Sequence, residues 1–273
     1  MTAPEPNPMP SSLERPAALP DRFLHLLEVV DRLRAEDGCP WDRQQTPQSL
    51  LPYLLEETYE VIESVEAGDV QALTEELGDL LLHVLLQCRM AQEAGHFTID
   101  DSLQAITSKL IRRHPHVFGD GAADDVSNMR QRWETVKQQE KGRQSLLEGV
   151  PRQLPALTRA RRIQEKAASV GFDWQHIAQV WHKVDEELDE LRAACASQRR
   201  EAIEEEFGDL LFSLVNLGRF LQLSAEETLR RAIGKFERRF GIIERELARR
   251  GRRPEEASLE EMDAIWNQLR RTQ

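Results

Sequence analysis

Residues Tyr53–Leu82 read YLLEETYEVIESVEAGDVQALTEELGDLLL, and Lys183–Phe212 read KVDEELDELRAACASQRREAIEEEFGDLLF. Glu56-Glu57-Thr-Tyr-Glu60 recurs as Glu186-Glu187-Leu-Asp-Glu190, and Glu75-Glu76-Leu-Gly-Asp79 recurs as Glu205-Glu206-Phe-Gly-Asp209, every position displaced by 130. Self-similarity at a fixed displacement marks a duplicated structural unit. It extends outward with small shifts: Trp41 and Trp174 precede the acidic stretches, Lys109–Arg113 matches Lys235–Arg239, and Trp133 matches Trp266. Apolar residues at 3/4 spacing make each stretch helical, as in Leu54, Tyr59, Val61, Ile62, Val65 and again in Leu77, Leu80, Leu81, Val84, Leu85.

Glu57 and Glu60 are three apart, as are Glu76 and Asp79, so each pair shares a helix face. With Gly68-Asp69 as the turn of an αα-hairpin, Glu57 lies level with Asp79 and Glu60 level with Glu76. At ~1.5 Å rise per residue the two levels are only ~4.5 Å apart. The second copy repeats this about Gln198, with Glu187 opposite Asp209 and Glu190 opposite Glu206. Four converging carboxylates repel one another unless a cation sits between them. An all-oxygen donor set suits Mg²⁺ or Mn²⁺ better than zinc or iron. His83 follows Asp79 by one turn, but Ser213 holds its place in the second copy, so His83 reads as a core or bystander residue. A lone Glu-x-x-Glu is ordinarily a solvated helix face; here the repetition and the lack of basic residues in 53–82 favour a metal site.

Gly78 and Gly208 stand inside helices, where Gly costs ~1 kcal/mol relative to Ala. Their recurrence points to close helix approach, to room for a ligand beside Asp79 and Asp209, or to packing alone. Glu56 and Glu186 point about 100° away from the quartets, as supporting acids or bases or as solvated groups. Lys235, Arg238 and Arg239, with Arg230 and Arg231 nearby, can neutralise phosphate oxygens, and Lys109, Arg112 and Arg113 are their counterparts. Trp266 and Trp133 offer flat faces for a base or side chains for a core. No Walker sequence, Gly-rich dinucleotide loop or Ser/His/Asp order accompanies them.

Six of the thirteen prolines fall in the first twenty residues, which read as a disordered tail over 1–20. The expected organisation is then a first helical domain over 21–148, a Gly/Pro linker over 149–156 and a second helical domain over 157–273. Pro52 must occupy the first turn of its helix, and Ser224-Ala-Glu-Glu227 and Ser258-Leu-Glu-Glu261 read as capping boxes opening the last two helices. The fold class is all-α, a tandem repeat of two helical-bundle units, each with an acidic hairpin. The net charge of −12 argues against non-specific nucleic-acid binding. That charge is concentrated: residues 53–82 carry −9 and 183–210 carry −6, leaving +3 for the remainder. Cys39, Cys88 and Cys195 are widely spaced, odd in number and outside any CxxC pair, as in a reducing cytosol. The first residues lack a signal-peptide pattern, and the longest apolar run, Leu80–Leu86, is too short to span a bilayer. A cytoplasmic protein with no membrane partner is expected.

The doubled Glu-Glu-x-x-Glu and Glu-x-x-Asp pattern, with Gly38-Cys-Pro-Trp-Asp42, Arg112-Arg-His-Pro-His-Val-Phe118, Val170-Gly-Phe-Asp-Trp174 and Lys235-Phe-Glu-Arg-Arg239, strongly resembles the MazG family of tandem nucleoside triphosphate pyrophosphohydrolases over about residues 21–272. The resemblance implies a homodimer, Mg²⁺ dependence and hydrolysis of NTPs and dNTPs to monophosphate and pyrophosphate, as housecleaning of the nucleotide pool. It places metal ligands on Glu187, Glu190, Glu206 and Asp209, catalytic groups on these and Glu186, and nucleotide contacts on Lys183, Glu186, Glu187, Glu204, Glu205, Asp209, Lys235, Arg238, Arg239 and Trp266. It makes the second half the catalytic one; Glu57, Glu60, Glu76 and Asp79 remain a second candidate metal site. Ala202 stands where the family often has Lys, with Arg199 a turn earlier. The alternative reading is a metal-binding regulatory or partner-binding helical module without catalysis.

Overall fold

The computed structural model describes residues 18–119 and 145–271. The regular elements among them are all helical, and they fall into two compact units that divide at 125/126. In the first unit α1 (Leu19–Arg34) is followed by a short α2 (Pro40–Gln44), then by α3 (Leu51–Ala67) and α4 (Val70–Glu93), and by α5 (Ile99–Arg113) and the single turn α6 (Pro115–Phe118). Pro20 and Pro52 both sit in first turns, where the missing N–H is not needed and the fixed φ suits a helix. Residues 19 and 20 therefore belong to α1 and not to a tail; proline-as-breaker reasoning set that boundary too late.

The turn after α3 is made by Gly68, whose φ of 69° is left-handed, and Asp69 caps α4 by accepting from the backbone N–H groups of Gln71 and Ala72, each at 3.0 Å. α4 is the hub: α1, α3 and α5 all pack on it. The core of the unit is Val30, Leu50, Leu85, Leu86 and Met90, with Phe23, Leu26, Leu27, Leu82 and Ile99 against it. Replacing Leu85 by Ala would cost ~2–5 kcal/mol.

The second unit repeats the plan: α7 (Ala156–Ala168), α8 (Ile177–Ser197), α9 (Arg200–Phe220), α10 (Ala225–Arg249), a 3₁₀ turn (Pro254–Glu256) and α11 (Leu259–Arg271). Gln198 ends α8 with φ 56°, the residue displaced by 130 from Gly68. α9 is the hub, packing on α7, α8 and α10. Val180, Val184 and Leu217 form one core cluster; Ile243, Leu247 and Ile265 form another between α10 and α11, with Phe240, Met262 and Trp266 against it. Ser224 caps α10 by accepting from the Glu227 N–H at 3.4 Å. Ser258 and Glu261 make a reciprocal box, 3.1 and 3.3 Å.

One expectation is only half met. Of the periodic apolar residues on the first hairpin, Leu85 is buried but Tyr59, Val65, Leu77, Leu81 and Val84 are exposed. The apolar arc is wider than the arc the unit covers. On the second hairpin Trp181, Phe207, Leu211, Phe212 and Leu214 are likewise exposed. No described helix is long and apolar enough to cross a membrane.

Candidate active site

Each acidic hairpin gathers three of its four quartet carboxylates. In the second unit, oxygens of Glu187, Glu190 and Glu206 lie within 4.8 Å of one another; in the first unit Glu57, Glu76 and Asp79 do so. Asp209 and Glu60 fall outside their groups. All four stand at similar heights on each hairpin, and side-chain direction separates one member from each set. Asp209 still acts on Glu206 electrostatically, and Glu60 acts likewise on Glu57.

The electrostatics are those of crowded anions. Burial, then Glu190, Glu205, Asp209 and Glu187, push the Glu206 carboxyl above its ordinary value. Burial, then Asp79, Glu60 and Glu76, do the same to Glu57, and burial with Glu60, Asp79 and Glu75 raises Glu76. Glu187 is only 6 % exposed, so its charge needs a partner. Lys183 supplies one: its ammonium reaches Glu187 Oε1 at 2.8 Å and Glu186 Oε1 at 2.7 Å. These two hydrogen bonds hold Lys183 above the ordinary lysine range and pull Glu186 below the usual carboxylate range. In the first unit Tyr53 takes the place of Lys183, 5.9 Å edge-to-face from Trp41.

The remaining nucleotide-contact candidates are spread over other surfaces. Glu204 is paired with Arg200 at 2.6 Å. Glu205, on α9, acts on the neighbouring Glu206. Lys235 and Arg238 are exposed on α10, and the Arg239 guanidinium lies 5.4 Å over the Trp266 ring. Trp266 also meets Phe236 at 5.5 Å and packs against the α10–α11 core, so the structure gives it a packing role with part of its surface open. Trp133 lies outside the described residues. Along the outer face of α8, His182, Asp185, Glu186, Asp189, Glu190 and Ala193 line an open groove of about 460 Å³ with one helix as its wall.

A Cβ built on Gly78 or Gly208 meets nothing within 4 Å. Close helix approach within a unit is thereby removed as the reason for these glycines.

Three features were not legible beforehand. His83 is buried and faces Glu57, with Nε2 3.9 Å from Glu57 Oε1; burial lowers its pKa against the raising effect of Asp79. Arg219 grips Asp173 with both terminal nitrogens, Nη1 to Oδ2 at 2.9 Å, and so fastens the Val170–Trp174 loop to α9. Gln164, buried on α7, donates to the Phe212 carbonyl at 2.9 Å. The sequence signal for the Asp173–Arg219 pair was its oppositely charged members alone, 46 residues apart.

The MazG nucleotide pyrophosphohydrolase domain matches residues 45–118 and 175–240, one stretch around each hairpin. The chain is 47 % identical over 254 residues to the nucleoside triphosphate pyrophosphohydrolase of Escherichia coli K12, covering 90 % of this chain and 96 % of that protein. It is 45 % identical over 250 residues to the nucleoside triphosphate pyrophosphohydrolase/pyrophosphatase MazG of Thermotoga maritima, covering 91 % and 95 %. An uncharacterised Bacillus subtilis protein, YabN, is 43 % identical over 254 residues, 92 % of this chain but 52 % of YabN. Two carboxylate hairpins, two domain matches and near full-length identity agree: the chain belongs to the MazG nucleotide pyrophosphohydrolase family.

Proposed function

We propose that the chain hydrolyses nucleoside and deoxynucleoside triphosphates to the monophosphate and pyrophosphate in a Mg²⁺-dependent reaction that clears unwanted nucleotides. The observation that carries this reading is the convergence of Glu187, Glu190 and Glu206 within 4.8 Å in a chain whose E. coli and T. maritima relatives are named nucleoside triphosphate pyrophosphohydrolases. The donor set fits a hard divalent cation: all donors are carboxylate oxygens, and the burial and mutual repulsion that raise Glu206 would be offset by positive charge among them. Mn²⁺ meets the same requirement.

When bound, Mg²⁺ supplies Lewis-acid polarisation of phosphoryl oxygens and a lowered pKa for coordinated water. Glu187, Glu190 and Glu206 would hold it, with Asp209 beside them, on the α8–α9 hairpin, whose left-handed turn lies at Gln198. Lys183, which carries two carboxylate hydrogen bonds, would be free to meet a phosphate oxygen if a cation took over the charge of Glu187. Lys235, Arg238 and Arg239 neutralise the leaving pyrophosphate, since positioning and electrostatics dominate phosphoryl transfer. Glu186 or a cluster glutamate accepts the proton of the attacking water. Trp266, held by Phe236 and Arg239, presents its open surface to the base.

The one-walled groove along α8 and the exposed apolar side chains on both hairpins support a homodimer in which a second chain supplies the missing wall. The three free cysteines suit a cytoplasmic setting.

Glu206→Gln or Asp209→Asn should abolish pyrophosphate release with Mg²⁺ present while leaving the helical CD spectrum intact; wild-type-like turnover in either variant removes the second cluster from the mechanism. ATP and dCTP with and without Mg²⁺ should yield monophosphate plus pyrophosphate. Mg²⁺ binding with no hydrolysis would instead favour the regulatory-module reading.

A further inference from the structure

The two hairpins differ in what stands one turn before the inner glutamate. In the second unit Lys183 precedes Glu187 by four residues. Its ammonium gives two of its three donors to Glu187 Oε1 at 2.8 Å and Glu186 Oε1 at 2.7 Å. In the first unit the residue displaced by 130 is Tyr53, and no Lys or Arg follows it as far as residue 82. A lysine four residues from a glutamate is ordinary on an exposed helix face. This pair is not of that kind, because the Glu187 side chain is only 8 % exposed and Glu187 is one of the three carboxylates that meet within 4.8 Å. The ammonium therefore rests on a group that a cation at the cluster would also need.

A buried carboxylate needs a counter-charge, and Lys183 provides it. A divalent ion entering among Glu187, Glu190 and Glu206 meets that ammonium as a like charge, in surroundings where repulsion is less screened than in water. Moving the ammonium aside is unfavourable as well, since it breaks two charge-assisted hydrogen bonds. A triphosphate removes both obstacles together, because its oxygens accept from the ammonium and ligate the ion. Glu57, Glu76 and Asp79 also meet within 4.8 Å, but with an uncharged tyrosine at the place of the lysine they raise no such barrier to an ion arriving alone.

We propose that Lys183 couples ion binding to nucleotide binding in the second unit: it holds the Glu187, Glu190 and Glu206 cluster against filling by a free divalent ion and yields when ion and triphosphate arrive together. The proposal rests on the reading of this cluster as the metal site of the hydrolase. The first cluster, with Tyr53 in that position, takes its ion without nucleotide.

The test is Mn²⁺ binding followed by EPR on the full chain, with Glu57→Gln and Asp79→Asn together removing the first cluster. Titrations are run with and without α,β-methylene ATP, whose bridging carbon blocks cleavage between the α and β phosphorus atoms, and are referred to the Mn²⁺ complex of that analogue in protein-free solution. The analogue should tighten Mn²⁺ binding by about tenfold or more. Lys183→Met should tighten the binding of Mn²⁺ alone by about tenfold and reduce the effect of the analogue by a similar factor. A lysine that only braces the hairpin predicts the opposite sign, because its loss loosens the cluster. Binding of Mn²⁺ alone that is unchanged or weaker in Lys183→Met overturns the coupling, as does an analogue effect of equal size with and without the lysine. Tyr53→Lys in a Glu206→Gln chain gives an answer even where Lys183→Met fails to fold: Mn²⁺ binding at the first cluster should weaken about tenfold, and unaltered binding overturns the proposal. No Mn²⁺ at the second cluster even with the analogue present removes the underlying metal reading as well.

Discussion

Gly208→Ala separates stability from catalysis at one position. Gly208 is interior to α9, where alanine is favoured over glycine by ~0.8–1.0 kcal/mol, and the added Cβ meets no atom within 4 Å. The substitution should therefore stabilise by about 1 kcal/mol, which in a unit of this size raises Tm by ~2–4 °C. The same methyl points about 100° away from Asp209 and about 160° away from Glu206 around the helix, outside the carboxylate cluster. Pyrophosphate release should therefore stay within about twofold of the unsubstituted rate while Tm rises. The assays are metal-free thermal melting at fixed protein concentration and initial rates with saturating Mg²⁺. A lower Tm refutes the open-space argument, because it means another surface lies against Gly208. A higher Tm with turnover lost about tenfold or more would place substrate against this face of α9 and refute the separation.

Gln198→Gly should stabilise the second unit by up to about 1 kcal/mol, because a non-glycine residue at φ 56° carries the left-handed penalty that Gly68 avoids; an unchanged urea midpoint would sink this. Mg²⁺ at about 100 times its dissociation constant should add ~2.7 kcal/mol, read as a rise in Tm; a purely structural bundle shows none. For Glu206 the folded-state pKa lies above the ordinary 4.5, so its favourable contribution is present below that value and is lost as pH rises through the folded pKa. In metal-free buffer Glu206→Gln should therefore become progressively more stable than the unsubstituted chain as pH climbs from 4.5. A constant difference across the titration contradicts it.

What the sequence made legible was whatever depends on local backbone geometry. The displacement of 130 identifies equivalent turns, and both midpoints, Gly68 and Gln198, are left-handed in the structure. Pro52 lies in a first turn because no other helical position tolerates it. What stayed illegible depends on side-chain direction and on distant partners. The helical rise places Glu60 and Asp209 at the right height, but it does not say where their carboxylates turn, and the compact groups form without them. His83 reads as a core or bystander residue because Ser213 holds its place in the second copy, and it is buried; that it faces Glu57 depends on how α3 and α4 rotate about their axes. Arg219 and Asp173 meet across 46 residues, a pairing that no short-range pattern encodes. The exposed half of each hairpin is a further case, since periodicity marks a residue as apolar without saying what covers it.

Each carboxylate cluster is assembled from a single short span, 57–79 in one unit and 187–206 in the other. A loop that short closes at little entropic cost, and local contacts of this kind are among the first a chain can form. The anions therefore meet during collapse, before the flanking helices dock. The later hairpin brings Lys183 within 2.8 Å of its most enclosed carboxylate and so starts with a counter-charge of its own. The earlier hairpin has Tyr53 at that place and no basic residue between 53 and 82. Its closure opposes a full −9, so ambient divalent ions bear on how readily the first half of the chain folds, whatever they do afterwards for turnover.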